Sequence, residues 1–135
     1  MKKLSLILLI TFVLGLNLTL SASAEQINWY YSFSDAQKEA QKTGKPMLVD
    51  VYTDWCGYCK KLDKDVFTDT DVINLSKSFV CVKVDGDKYR SVVQKYGVRG
   101  YPTTLFLKPN GSVIKKAVGY MGADEYLKDM KNALK

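Results

Sequence analysis

An apolar run followed directly by two closely spaced cysteines constrains this chain most strongly. Residues Met47–Tyr52 read Met-Leu-Val-Asp-Val-Tyr, and Cys56 and Cys59 follow within Trp-Cys-Gly-Tyr-Cys-Lys. The run has the length and composition of a buried strand, and a Cys-x-x-Cys pair at this point is typical of a redox motif. The sequence therefore predicts a dithiol at a strand-to-helix junction, a placement that suits thiol–disulfide exchange.

The two cysteines are expected to play different parts. A helix that begins at Cys56 lowers the pKa of that thiol below the free value of about 8.5, because unpaired amides and the positive end of the helix dipole stabilise a thiolate. Cys56 is therefore the predicted nucleophile. Cys59 lies one helical turn further on and is the predicted resolving thiol, so the pair forms the predicted redox disulfide.

Two other uses of the pair compete with this one. A structural disulfide gains most when it closes a long loop, and this pair closes a very short one. A zinc site needs four ligands, whereas the chain offers only one further cysteine, Cys81, and no histidine. Redox exchange is the favoured interpretation, with no metal and no cofactor expected.

The first residues have the pattern of a secretory leader. Lys2 and Lys3 precede an apolar stretch, and Ala22-Ser23-Ala24 supplies a small-x-small cleavage pattern. We predict a signal peptide over residues 1–24, cleaved after Ala24. The alternative is an uncleaved anchor, since Leu4–Leu20 contains 17 residues, near the lower limit for a membrane span.

Residues 25–135 are predicted to form one domain outside the cytoplasm. These 111 residues suffice for one core, and loss of Lys2 and Lys3 lowers the side-chain charge from +6 to +4. This mild excess is spread along the chain, so nucleic-acid binding is not expected. Three cysteines are too few for a disulfide scaffold, although an exported domain meets an oxidising environment. We expect a periplasmic or otherwise extracytoplasmic monomer.

The pattern along the chain alternates strands and helices. The predicted elements are a short edge strand at 27–31, a helix from a capping box at Ser34 to Gly44, a strand at 47–53, helices at 56–66 and 69–77, a strand at 79–84, a helix ending at 96–97, strands at 103–107 and 113–118 around an Asn110-Gly111 turn, and a helix at 124–134. This order predicts an α/β fold whose mixed sheet is covered by helices on both faces.

Two charged residues interrupt strands that otherwise look buried. Asp50 lies within the apolar run, where an unpaired carboxylate costs several kcal/mol, so it must be paired, protonated or solvent-facing. A buried Asp50 with a raised pKa is a candidate general base for Cys59. Lys83 lies on another core strand and either pairs with Asp50 or extends to water. Cys81 is predicted to be a small buried core residue rather than a third redox thiol.

A proline precedes the predicted hairpin, in Arg99-Gly100-Tyr101-Pro102-Thr103. Between a helix and a strand, a cis bond at Pro102 would make a sharp turn whose exposed backbone groups are able to pair with an extended substrate. An ordinary trans proline that opens an edge strand is the alternative.

These motifs together resemble thioredoxin. Met47–Lys60 is similar to its active-site segment and Lys95–Thr103 to its cis-proline segment, and the similarity covers nearly all of residues 29–135. The resemblance implies a thioredoxin fold. It also implies a role for each matching residue: Cys56 as nucleophile, Cys59 as resolving cysteine, Asp50 as buried acid, Lys83 as its strand neighbour, Pro102 as cis-proline, with Trp55, Tyr101 and Pro102 at the substrate-binding surface.

The chain departs from thioredoxin at several positions. Tyr58 replaces a proline, Tyr101 replaces an aliphatic residue, and Asp54 places a negative charge beside the dithiol, which is expected to raise the Cys56 pKa. Residues 61–69 also look like exported thioredoxin-like domains related to the C-terminal domain of the Dsb-type transmembrane electron conductor.

The expected function is reduction of protein disulfides, with a membrane thiol electron donor restoring the dithiol. One alternative is a disulfide isomerase or oxidase. The other is a non-catalytic module that binds extended peptides, or Cu(I) through Cys56, Cys59 and Cys81.

Overall fold

The computed structural model describes residues 23–135. Residues 1–22 carry nearly all of the predicted leader, together with its alternative as an anchor, and lie outside the described residues. Among the helices formed by residues 23–135, none combines the length and the hydropathy needed to cross a bilayer.

The described chain forms five strands and five helices, which alternate except where α3 follows α2 and β5 follows β4. Their bounds are β1 (Trp29–Tyr30), α1 (Phe33–Thr43), β2 (Met47–Tyr52), α2 (Gly57–Asp65), α3 (Thr70–Ser76), β3 (Val80–Asp85), α4 (Arg90–Lys95), β4 (Thr103–Leu107), β5 (Val113–Val118) and α5 (Ala123–Ala133). The sheet order is β1-β3-β2-β4-β5, with β1, β3 and β2 parallel and β4 and β5 antiparallel to their neighbours. The predicted mixed α/β sheet is confirmed.

Helices cover both faces of the sheet, so the molecule has two apolar layers. On one face Leu62 of α2 and Met130 of α5 pack with Leu48 of β2. On the other face Ala40 of α1 packs with Val49 of β2. Successive side chains of each strand enter the two layers in turn, because they point to opposite faces of the sheet.

The central strand β2 is paired along both edges and buried on both faces. It lies between β3 and β4, and its residues from Met47 to Val51 are all buried. Asp50 shares the face of Leu48, since their spacing is two, and it lies directly opposite Lys83 on β3. The strand register alone therefore places Asp50 and Lys83 side by side.

The helix α1 begins two residues earlier than the sequence predicts. Ser32, not Ser34, is the N-cap: its backbone is extended and its hydroxyl accepts a hydrogen bond from the Asp35 amide at 3.3 Å. The predicted capping box at Ser34 is wrong because Phe33 is already helical and packs against the α1 side of the sheet, so Ser34 lies in the first turn. The predicted end at Gly44 is confirmed, with a φ of 73° that favours glycine.

Substitution of the two serines tests this assignment. We expect Ser32→Ala to lower the free energy of unfolding by about 1 kcal/mol, because an Asp35 amide loses its partner. Ser34→Ala, the matched control, should change stability by only a few tenths of a kcal/mol because alanine favours a first turn. Chemical denaturation measures both values, and equal losses for the two variants would contradict the cap at Ser32.

Candidate redox site

The cysteine pair lies where β2 ends and α2 begins. Cys56 is the N-cap of α2, and its sulfur accepts a hydrogen bond from the Cys59 amide at 3.1 Å. Cys56 and Cys59 are both buried and are joined as a disulfide. The first turn of α2 carries no acidic residue. The dipole end of this helix and an aimed amide therefore both face the Cys56 sulfur, which is the arrangement that stabilises a thiolate.

The carboxyl group of Asp50 is buried on the face of the sheet that α2 covers. Its side chain is 1% exposed, and Oδ2 accepts a hydrogen bond from the Lys83 ammonium at 2.8 Å. Oδ1 is buried and has no hydrogen-bond partner among the described residues. Burial raises the Asp50 pKa by more than the attraction of Lys83 lowers it. The alternative of a solvent-facing Asp50 is wrong.

A second carboxylate holds the same ammonium. Lys83 donates to Oδ1 of Asp63 at 2.5 Å, and Asp63 lies one turn after Cys59 on α2. The rings of Trp29, Tyr52 and Phe67 each lie 5.0–5.1 Å from the ammonium. The Lys83 side chain is 13% exposed, so the alternative of an ammonium that extends into water is wrong.

Burial is the main cause of the raised Asp50 pKa, and Asp63 adds to it while helping to keep Lys83 charged. Burial lowers the Lys83 pKa, but attraction and hydrogen bonds from Asp50 and Asp63 outweigh burial and raise it overall. Asp50 shares the Lys83 ammonium with the Asp63 carboxylate, and the negative charge of Asp63 raises the Asp50 pKa further. The site therefore holds a charged lysine and a carboxyl group that resists ionisation.

Replacement of Asp50 by asparagine tests this balance. Because the folded-state Asp50 pKa is raised, the folded protein holds an extra proton between the ordinary pKa of 3.8 and the raised value, so stability falls as pH rises through that window. Asp50→Asn removes this loss of stability with rising pH. Since Lys83 keeps Asp63, we expect the oxidised variant to gain about 1–2 kcal/mol at pH 8 and almost nothing at pH 4.

Denaturation at several pH values between 4 and 8 gives these free energies. Asp63→Asn is the matched control. It removes a carboxylate from the Lys83 ammonium, but that carboxylate is not fully buried, so this variant should show no gain in stability at pH 8. A variant at Asp50 that is less stable than the wild type at pH 8 would contradict the raised pKa.

Trp55 and Tyr101 form one aromatic pair beside the disulfide. Their rings meet edge to face with centroids 5.8 Å apart, and the exposed Trp55 indole N–H donates to Oδ2 of Asp87 at 2.9 Å. A Cβ at Gly86 would lie 2.5 Å from the Tyr101 ring, so only glycine leaves room for that ring. The Tyr101–Pro102 peptide bond is cis. Sequence analysis identified neither Gly86 nor Asp87 as a residue of the site, because their contacts with Tyr101 and Trp55 depend on the fold.

Tyr58 and Tyr120 form a second aromatic pair. Their ring centroids lie 6.3 Å apart, and the segment after β5 that carries Tyr120 is tied to the proline turn by a 2.8 Å hydrogen bond from the Gly119 amide to the Pro102 carbonyl. Sequence analysis did not select Tyr120, which lies 62 positions after Tyr58. The first pair therefore includes a residue of the proline turn, Tyr101, and the second pair includes a residue that directly follows a hydrogen bond to that turn.

Cys81 lies apart from this site. It is a buried member of the apolar layer that contains Leu48, as predicted, and its thiol contacts the Ser76 carbonyl at 3.6 Å. Burial raises the Cys81 pKa to about 12, against a small opposing effect of Lys45. Within residues 23–135 no group of three metal-ligating side chains forms, so the fold does not gather the three cysteines into one site.

The placement of Cys81 predicts inert behaviour. After reduction we expect iodoacetamide at pH 8 to modify Cys56 in the folded protein and Cys81 only after denaturant is added, because a buried thiol with a raised pKa is not a thiolate. Cys81→Ala should lose about 1 kcal/mol of stability and keep its exchange rate with a small disulfide. Mass spectrometry identifies the modified thiols, and early labelling of Cys81 would contradict this prediction.

Comparison with known proteins places the chain in a family. Residues 33–134 match the model of the thioredoxin-like domain, and the chain belongs to that family. A solved thioredoxin from Thermus thermophilus superposes with a TM-score of 0.73 at 26% identity, covering 81% of this chain and 88% of that one. A candidate disulphide isomerase from Bacteroides thetaiotaomicron superposes with a TM-score of 0.71 at 37% identity, covering 84% and 98%.

A longer relative shares this domain. The chain is 32% identical over 121 residues to the thiol:disulfide interchange protein DsbD of Colwellia psychrerythraea, and the match covers 84% of this chain. It covers only 20% of that relative, so the chain spans about a fifth of the length of the DsbD proteins it matches. The implied thioredoxin fold is confirmed, and the chain carries a cysteine pair at the junction between β2 and α2 of that fold.

Proposed function

We propose that this protein is an extracytoplasmic thiol–disulfide oxidoreductase that reduces protein disulfides through Cys56 and Cys59. The observation that carries the proposal is the position of Cys56 at the N-cap of α2, where its sulfur accepts the Cys59 amide hydrogen bond. An anionic sulfur at this point gains from the amide and from the helix dipole, whereas a neutral thiol gains little.

Reduction begins from the dithiol form. The Cys56 thiolate attacks one sulfur of a substrate disulfide, the substrate S–S bond breaks, and the departing substrate sulfur leaves as a thiolate that takes a proton from water. A mixed disulfide now joins Cys56 to the substrate. No cofactor takes part, because the two electrons come from the dithiol itself.

The second step requires a proton acceptor for Cys59. Asp50 is the candidate, since its Oδ1 has no hydrogen-bond partner in the described part of the chain and its raised pKa makes the carboxylate a stronger base. The proton passes to Asp50 directly or through one water. The Cys59 thiolate then attacks the Cys56 sulfur, the Cys56–Cys59 disulfide forms as the mixed disulfide breaks, and the second substrate sulfur leaves as a thiolate that takes a proton from water. Lys83 positions Asp50 for this step through its 2.8 Å hydrogen bond.

Three considerations favour a reductant that works outside the cytoplasm. The predicted leader at residues 1–24 directs the domain across a membrane, and DsbD, to which the chain is similar, is a thiol:disulfide interchange protein. The chain has no histidine, so no imidazolium lies between or beside the cysteines to stabilise a thiolate further. A less stabilised thiolate makes a more reducing pair. We propose a membrane thiol donor as the source of electrons and disulfide-containing proteins as substrates.

Isomerisation is the second candidate, and a specific similarity favours it. The candidate disulphide isomerase from Bacteroides thetaiotaomicron is 37% identical to this chain and is covered over 98% of its length. An isomerase uses the same Cys56 thiolate to open a wrong disulfide and then lets the substrate rearrange. Refolding of scrambled ribonuclease in a glutathione buffer measures this activity separately from net reduction.

Single replacements of the two cysteines test the proposed roles. Cys56→Ser should abolish reduction of insulin, because no nucleophile remains. Cys59→Ser should trap the substrate as a mixed disulfide on Cys56, because the resolving attack is lost. Non-reducing electrophoresis detects the trapped species. Full cellular activity of Cys56→Ser would exclude thiol catalysis and favour a peptide-binding module.

Equilibration of the Cys56–Cys59 couple with defined thiol buffers tests the direction. A reductant should have a potential near that of thioredoxin, about −270 mV, whereas isomerases lie near −180 mV. The difference corresponds to about 4 kcal/mol for two electrons, which the residues around the dithiol have to supply. A potential well above the isomerase value, together with no insulin reduction, would contradict the reductant role.

A further inference from the structure

Two aromatic pairs flank the disulfide in a regular way. Trp55 directly precedes Cys56 and pairs with Tyr101, while Tyr58 directly precedes Cys59 and pairs with Tyr120. Both pairs are linked to the proline turn, the first through Tyr101 itself and the second through the Gly119 amide, which donates to the Pro102 carbonyl. The Trp55 side is the one that the family resemblance already implied, so the Tyr58–Tyr120 side is the new element of this surface.

Tyr120 is held in place by more than its partner ring. Its hydroxyl donates to Oδ2 of Asp65 at 3.3 Å, and the ammonium of Lys61 lies 4.9 Å from the ring centroid. Lys61 and Asp65 also pair with each other across one turn of α2. A ring fixed by an acid, a cation and the apolar layer beneath it has little conformational freedom left to lose when a ligand binds.

The Tyr58 side chain, in contrast, is exposed to solvent. It is 64% exposed, although it stands between the two cysteines and pairs with the Tyr120 ring, and an exposed aromatic ring has a cost in water. A fixed ring and an exposed ring beside a reactive disulfide form a surface that a substrate side chain is able to cover.

We propose that Tyr58 and Tyr120 form a specificity subsite that accepts an aromatic side chain located two residues from the reactive cysteine of an extended substrate. The proposal rests on the proposed thiol exchange, because the dithiol fixes the position of the substrate cysteine. In an extended chain, side chains two residues apart point to the same face at about 6.6 Å, so a side chain at that spacing points to the same surface as the cysteine. Aromatic rings give the largest contact area for such a surface.

The test uses peptides whose single cysteine is joined to 5-thio-2-nitrobenzoate. The thiolate of Cys56 attacks the peptide sulfur and releases the coloured thionitrobenzoate anion; Cys59 then loses its proton, attacks the Cys56 sulfur and releases the peptide thiol. The two electrons come from the pre-reduced protein. Three peptides are compared, with Phe two residues before the cysteine, with Phe two residues after it, and with Ser at both positions.

We expect the wild-type protein to react about fivefold faster with one Phe peptide than with the Ser peptide, the size of one aromatic contact. Tyr120→Ala should abolish this preference, and Tyr58→Ala, in which an exposed ring is removed without any loss of core contact, should reduce it as well. Tyr31→Ala is the matched control, because its ring is 65% exposed and its removal should leave the preference intact.

Three results would overturn the subsite: no preference for either Phe peptide in the wild type, an undiminished preference in both tyrosine variants, or an equal loss in Tyr31→Ala. Failure of the proposed function looks different, because none of the three peptides would then release the anion faster with the wild type than with Cys56→Ser.

Discussion

The burial of residues 47–51 of β2 is the constraint on which the rest of the structure depends. This strand is paired on both edges and covered on both faces, so every side chain it carries must be apolar or compensated. Its carboxyl end is the point at which the chain leaves the sheet and begins α2, and the fixed strand therefore fixes the position of Cys56. A looser strand would leave the sulfur without a defined relation to the helix amides.

The same burial gives Asp50 its chemical character. A carboxyl group in the centre of a sheet loses its hydration, and one lysine shared with Asp63 does not fully replace it. The protein thereby retains a buried carboxyl group with a raised pKa, at a cost in stability when that group ionises. Asp63 contributes by keeping Lys83 charged, so the cation remains in place when Asp50 takes up a proton.

The aromatic residues show how much of a site lies beyond local sequence. Trp55 and Tyr58 are adjacent to the cysteines and are obvious in the sequence, but each ring meets its partner only because distant loops approach the start of α2. Gly86 takes part because a Cβ there would collide with Tyr101. A prediction from spacing alone had no means of finding such contacts, since they depend on how the turns after β3 and β5 approach the proline turn.

The candidate site was predictable to the extent that its chemistry is local. The pair Cys56 and Cys59 follows from spacing, and Asp50 stands out as a charge in an apolar run. Asp63 was missed because it looks like an ordinary surface acid of a helix, and only the packing of α2 against β3 brings it to Lys83. The cap of α1 was misplaced because three polar residues near its start compete, and the helical backbone of Phe33 decides among them.

The sequence by itself determined the alternation of strands and helices, the burial of the central strand and the location of the dithiol, because each depends on periodicity or on neighbours within one turn. Tertiary structure alone decided that Lys83 serves two carboxylates and that two aromatic pairs flank the disulfide. The physical reason is that charge compensation and ring contact act over a few ångströms in space, between residues that the chain separates by 20 positions or more.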